Sequence, residues 1–308
     1  MKDNIFISDE DVALSKLNQE YKEVINSKEY RLGVSILNAY KTIRYLDLRK
    51  LQSYWRRLRL KRKQSKLNNV NIPYLTRNFS FDKNKKVVVY TCVTGEYERP
   101  VEPLYKPSNV DYFVITDMEI DSNSKWKKID INSIKELSSL NNIEKSRFPK
   151  ILPHRIFQDY DYSIYVDANV RIISDIRKSI SSLGKIPFAS HWHPERNSIY
   201  QEAKACILAK KGNPKLITEQ MVRYRKLGMP DNFGLIECNI LVREHNSESC
   251  KKLMELWWEE FINSKSYRDQ LSLPFVIWHL GYTMKDIGFI ESDVKNNISI
   301  QLLEHCSG

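Results

Sequence analysis

The chain has few cysteines, no long apolar run and no glycine-rich phosphate loop, and each lack excludes a class. Cys92, Cys206, Cys238, Cys250 and Cys306 stand without a CxxC pair or a histidine at zinc spacing. That argues against a zinc module, and an odd number cannot all pair internally, so the thiols read as reduced and mostly structural. No window approaches 18 uninterrupted apolar residues, and the opening "MKDNIFISDEDVALSK" shows no basic-then-apolar signal pattern. The expectation is a cytoplasmic protein, peripheral at most at the inner face of a membrane. The turn "TCVTGEY" has one glycine and no lysine. A nucleotidyltransferase would be expected to carry a Gly-rich, Lys-bearing loop there. The lack counts against that class, which stays an alternative beside a non-catalytic binding scaffold.

Against these lacks stand 42% hydrophobic and 28% charged residues over 308 positions, enough for one large domain with an appendage. The formal charge is +11, and "RRLRLKRKQSK" at 56–66 supplies seven basic side chains and no acid. The basicity is thus local, and no nucleic-acid partner is needed to explain it. Apolar residues recur at three and four across 10–66 without a proline, which predicts a helical arm over 1–83. Such an arm either packs as a hairpin, on its own domain or in a homo-oligomer, or lays Trp55, Leu58 and Leu60 with their basic neighbours on an anionic membrane surface through 55–66.

From about residue 84 short apolar runs alternate with helical stretches. Strands are predicted at 87–91, 112–116, 163–166, 188–190 and 237–242, and helices at 134–140, 198–210, 214–227, 247–262 and 268–280. Alternation of this kind gives an α/β sheet covered on both faces, within one domain spanning 84–308.

Ligands of open α/β sheets bind beyond the carboxyl ends of strands. Thr91, Thr94 and Gly95 close the first strand, Asp117 the second, and Asp167 with Asn169 the third. Two oxygen donors one residue apart at a strand's break suit a hard cation such as Mg²⁺ or Mn²⁺. Arg147, Lys150, His154 and Arg155 recur at three and four, either as a solvated basic face or as a clamp on a diphosphate. In "SHWHPERNSIYQEA", His191 and His193 lack a third ligand at diagnostic spacing. With Arg196, Tyr200 and Glu202 they gather hydrogen-bond donors and acceptors beside an aromatic Trp192. Glu237 stands at the start of a predicted strand and Asp269 near the beginning of a predicted helix, where the helix dipole alone could account for a carboxylate. Trp257 and Trp258 belong to an amphipathic helix and read as core.

The blocks "YTCVTGEYE", "FVITD", "FPKILPHRIFQDYDYSIYVDANV", "HPERNSIYQEA", "GLIECNILVREHN", "LWWEEF" and "RDQLSLPFV" resemble, in this order, the TOD/MUCI70-type glycosyltransferase-like family over residues 86–280. The resemblance implies a glycosyltransferase-A-like nucleotide-diphospho-sugar transferase fold behind the arm. It also implies transfer of a sugar from a nucleoside diphosphate donor to a glycan or lipid-linked glycan acceptor, such as a growing surface polysaccharide. Loop 91–97, with Thr91, Thr94, Gly95 and Tyr97, would then underlie the nucleotide, and Asp117 would bond the base or ribose. Asp167 and Asn169 would hold the divalent cation, with Arg147, Lys150 and His154 on the diphosphate. His191, His193, Arg196 and Tyr200 would meet the acceptor. One of Asp269 and Glu237, with Asp269 ahead, would be the base. Asn169 departs from the Asp-x-Asp usual in that fold, and a neutral amide is the weaker ligand.

Overall fold

A computed structural model describes Ser27, Asp82, residues 84–95 and 98–290, Val294 and residues 297–303. The chain divides into two compact units, Met1–Asn78 and Phe79–Gly308. The helical arm expected over 1–83, its basic run at 55–66, and the loop residue Tyr97 lie outside the described residues, as does Cys306.

Within the second unit the core is a seven-stranded mixed sheet. Its strands are β1 (Val87–Val93), β2 (Asp111–Thr116), β3 (Lys127–Asp130), β4 (Tyr162–Val166), β6 (Phe188–Ser190), β7 (Ile240–Arg243) and β8 (Gly288–Phe289). A separate antiparallel pair joins β5 (Val170–Ile172) to β9 (Ile300–Leu302). The sheet order is β3-β2-β1-β4-β7-β6-β8. β1 runs parallel to β2 and β4, whereas β7 runs antiparallel to β4 and β6.

All seven residues of β1 are buried, as an apolar run covered on both faces requires. Strict alternation sends Val88, Tyr90 and Cys92 to one core and Val87 and Val89 to the other. The first core holds every described α-helix: α1 (Asn142–Ile151), α2 (Ile199–Leu208), α3 (Pro214–Lys226), α4 (Glu248–Ser264) and α5 (Asp269–His279). The second core is closed by Trp126, a 3-10 stretch at Ile176–Ser182 and the β5–β9 pair. Both faces are covered as expected, but the helices lie on one of them.

Two elements differ from the sequence reading. The helix predicted at 134–140 is a pair of 3-10 turns, Ile131–Ser133 and Lys135–Leu137. Asp130 accepts from the Asn132 N–H, and Ser133 Oγ donates to the Asp130 carbonyl. Such local bonds compete with a helix. The helix starts instead at Asn142, behind a capping box of Asn141 and Glu144. The strand predicted from 237 begins at Ile240, because the Ser190 hydroxyl reaches the carbonyls of both Glu237 and Ile240 and holds the intervening residues in a bend.

Candidate active site

Because β1, β2 and β4 are parallel, their carboxyl ends open at the same edge, and the chain reverses order between β1 and β4. α1 brings its last turn over this edge. Lys150 is buried with its Nζ 2.8 Å from Asp269 Oδ2 and 3.1 Å from Asp167 Oδ1. Tyr165, two residues before Asp167 on the same strand face, donates its hydroxyl to Asp167 Oδ1 at 2.8 Å, and Lys150 Nζ lies 5.0 Å from the centre of its ring. Arg147, one turn earlier on α1, places Nε 3.6 Å from Asp269 Oδ2. Four charged groups from three elements thus meet at one strand end.

The charges set each other's protonation. Burial pulls the Lys150 pKa down, yet Asp167 and then Asp269 outweigh it and leave the ammonium above its ordinary value. Burial likewise pushes the Asp269 carboxyl up, but Lys150, then Arg147 and Arg268, hold it well below the usual carboxylate range. Burial, then the neighbouring Asp167, raises the Tyr165 phenol well above its ordinary value, so it stays a donor. Asp269 is sealed in the cluster, whereas the Asp167 side chain is 35% exposed and is the carboxylate open to a ligand.

The loop after β1 is tied to the same edge. Thr94 Oγ1 donates to the Asn142 carbonyl at 3.0 Å. The Gly95 N–H lies 3.1 and 3.0 Å from the two oxygens of Asp117. Gly95 has φ +66°, and a Cβ there would meet Asn142 Nδ2 at 3.3 Å, so glycine suits both the backbone and the space. Thr91 lies fully buried inside β1 rather than in the loop.

Other expected residues are engaged elsewhere. Pro153 starts a separate 3-10 turn, Pro153–Arg155, so His154 and Arg155 leave the face of Arg147 and Lys150. His154 Nε2 lies 2.7 Å from Glu255 Oε1, and Arg155 bonds both oxygens of Glu255. His191 is fully buried with Nε2 3.0 Å from Asn297 Nδ2. His193 Nδ1 accepts from the Glu195 and Arg196 N–H groups at 3.2 and 3.0 Å, closing its own turn. Arg196 donates to Glu202 Oε2 at 2.6 Å, and the Tyr200 hydroxyl donates to the Met229 carbonyl at 3.0 Å. From this segment it is Trp192 that stands out, 39% exposed and edge-on to Phe289. Trp257 is core, its indole N–H shared between the Asp269 carbonyl and Ser272 Oγ, and Trp258 packs on Phe148.

Sequence reasoning passed over Tyr165 and Asn239. Asn239 follows the bend and takes its place beside Asp167, whose N–H donates to the Asn239 carbonyl at 2.8 Å. Its Oδ1 is buried without a hydrogen-bond partner among the described residues. Gln270 donates from Nε2 to the Ile236 carbonyl at 3.0 Å and so ties α5 to that bend. The i, i+2 spacing of Tyr165 and Asp167 was a readable signal; the meeting of Asn239 with Asp167 needs the β4–β7 pairing.

Among the described residues no group of three or more His, Cys, Asp and Glu side chains is placed to hold a metal ion. Asn169 donates its Nδ2 to the Leu303 carbonyl at 3.0 Å, which leaves its amide oxygen for a cation. Asp167 and Asn169 thus carry oxygen donors two residues apart after β4, with the Asp167 side chain 35% exposed. Such a pair fits a Mg²⁺ or Mn²⁺ ion that takes its remaining ligands from a diphosphate and water.

An α/β domain with a parallel-rich central sheet and the oxygen-bearing Asp167 and Asn169 after β4 is the arrangement expected of a glycosyltransferase-A-like fold. Residues 76–305 match the model of the TOD1/MUCI70, glycosyltransferase-like domain, and the chain belongs to that family. A curated relative, alkaline ceramidase TOD1 of Arabidopsis thaliana, is 26% identical over 188 residues, which are 57% of this chain and 40% of the relative. The chain therefore spans well under half of that relative's length. Among solved structures, the WbbM bifunctional glycosyltransferase is similar at 15% identity and a TM-score of 0.40, over 69% of this chain and 40% of that one. The galactosyltransferase LgtC, bound to donor and acceptor sugar analogs, is similar at 14% identity and a TM-score of 0.36, over 62% and 70%.

Proposed function

We propose that this domain transfers a sugar from a nucleoside diphosphate donor to a hydroxyl of a glycan or lipid-linked glycan. The observation that carries the reading is Lys150, a buried cation shared by Asp167 and Asp269 and backed by Arg147 at the strand edge. Cleavage of the glycosidic bond of a nucleotide sugar releases a diphosphate whose growing charge must be neutralised, and fixed cations in a dry site do this well. Arg147 and Lys150 take that part. Asp269 orients Lys150 and keeps it charged, and Tyr165 orients Asp167. A bound divalent cation would supply further charge neutralisation through Asp167 and the Asn169 amide oxygen.

A carboxylate held far below its usual range is a weak proton acceptor near neutral pH. That moves the acceptor-base role from Asp269 to Glu237, in the same bend as Asn239. Trp192 offers an exposed ring on which a sugar face can stack. The surface-glycan acceptor belongs to this proposal as well.

The test is incubation of the whole chain with a panel of nucleotide sugars, with and without Mn²⁺, measuring released nucleoside diphosphate. Release from one donor, increased by an acceptor, is expected. Pyrophosphate made from a nucleoside triphosphate and a sugar phosphate would instead mark a nucleotidyltransferase. Fatty acid freed from ceramide would favour the chemistry in the plant relative's name.

A further inference from the structure

Arg243, the last residue of β7, is a fully buried arginine. Among the described residues no carboxylate pairs with it. Its Nη1 donates to the Lys150 carbonyl at 2.7 Å, and its Nη2 donates to the Tyr90 hydroxyl at 2.7 Å. Tyr90, in β1, passes its own proton to the Pro149 carbonyl at 2.8 Å. These carbonyls belong to the last turn of α1, where no helical N–H follows to satisfy them. The third, that of Phe148, accepts from the Leu152 N–H at 2.7 Å. A buried guanidinium lacking a carboxylate is costly, and an apolar side chain of like size would fill the same core. What a hydrocarbon cannot do is hold two strands and a helix end in one hydrogen-bonded chain.

The carbonyl that Arg243 grips belongs to the residue whose ammonium bridges Asp167 and Asp269. Helix ends fray, and their last carbonyls have no partner within the helix. Here that turn is bolted to β1 and β7, the strands flanking β4. The positive guanidinium also faces the negative end of the helix dipole, which favours this placement. We infer that Arg243, acting with Tyr90, is a positioning residue that sets the depth at which Lys150 enters the diphosphate site. The inference rests on the donor-binding reading above, because it assigns Lys150 the contact with the donor's phosphates.

Tyr90→Phe is the gentler variant, since it keeps the ring in the core and removes only the hydroxyl. Arg243→Met removes the clamp outright, and its folding is checked by thermal melting. The decisive measurement is a double-mutant cycle on nucleoside diphosphate affinity, by titration calorimetry on the whole chain with a panel of nucleoside diphosphates. If the clamp acts through Lys150, Tyr90→Phe weakens binding about tenfold in the wild-type background and less than about twofold in Lys150→Met. Equal factors in both backgrounds, or wild-type affinity in Tyr90→Phe, overturn the inference while the donor-binding reading stands. Wild-type protein that binds none of the nucleoside diphosphates removes that reading, and the inference with it.

Discussion

Asp269 and Lys150 form a buried pair whose two shifts act at opposite ends of the pH scale. Asp269 has its pKa lowered in the fold, so its contribution is present above the unfolded value of about 3.9 and is lost as pH falls toward the folded one. Lys150 has its pKa raised, so its contribution is complete below about 10.4 and is lost as pH rises through the folded value. The melting temperature should therefore hold between about pH 5 and 9, as far as this pair decides it, and fall in acid. Asp269→Asn should cost about 3 kcal/mol at neutral pH, because it leaves Lys150 buried with Asp167 alone, and should flatten the acid limb. Equal acid slopes for variant and wild type, read by thermal melts at several pH values, would refute the assignment. At this scale the sequence reading reached Arg147, Lys150 and Asp167 because their spacings are local. His191 and His193 were expected at the acceptor for an equally local reason, being polar after a strand, and their bonds to Asn297 and to the Glu195 and Arg196 N–H groups became visible only once the chain was folded.

Among the elements, those legible beforehand were the ones with an unambiguous period. β1 and β4 are mostly apolar, almost wholly buried runs bounded by polar residues, and α3 carries its own start signal in Asn213 followed by Pro214. β3 was missed because it is an edge strand of sequence KKID, largely exposed, with no buried face to write a pattern. β5 and β9 are three residues each, too short for any period, and are defined by their pairing across 130 positions of chain. The β8 edge gives a sharp test of packing between elements. A Cβ on Gly288 would stand 1.7 Å from the Ser182 carbonyl oxygen, whereas one on Gly228 meets nothing within 4 Å. Gly288→Ala should destabilise by about 3 kcal/mol through overpacking. Gly228→Ala should cost about 1 kcal/mol, from its positive φ alone. Denaturant melts giving equal losses would contradict the close approach of β8 to the 3-10 stretch.

For the molecule as a whole, seven of the eleven net positive charges fall in 56–66, outside the described domain. Among the described residues no helix is long and apolar enough to cross a membrane. A lipid-linked acceptor would be met at a surface, and basic side chains close to anionic lipid contribute roughly 1 kcal/mol each. The whole chain should therefore sediment with anionic vesicles at low salt, release as salt rises, and ignore neutral vesicles. Equal binding to both vesicle types would leave the arm a packing element. If the end of β4 is where a nucleotide sugar is bound and opened, Asp167→Ala removes the carboxylate there that is open to a ligand. The variant is compared with wild type for nucleoside diphosphate release from the preferred donor at saturation, at a temperature where circular dichroism shows both folded. A rate at least about 10²-fold lower is expected in the folded variant, with a lowered melting temperature because Lys150 keeps only Asp269; a folded variant that keeps most of the wild-type rate contradicts the assignment.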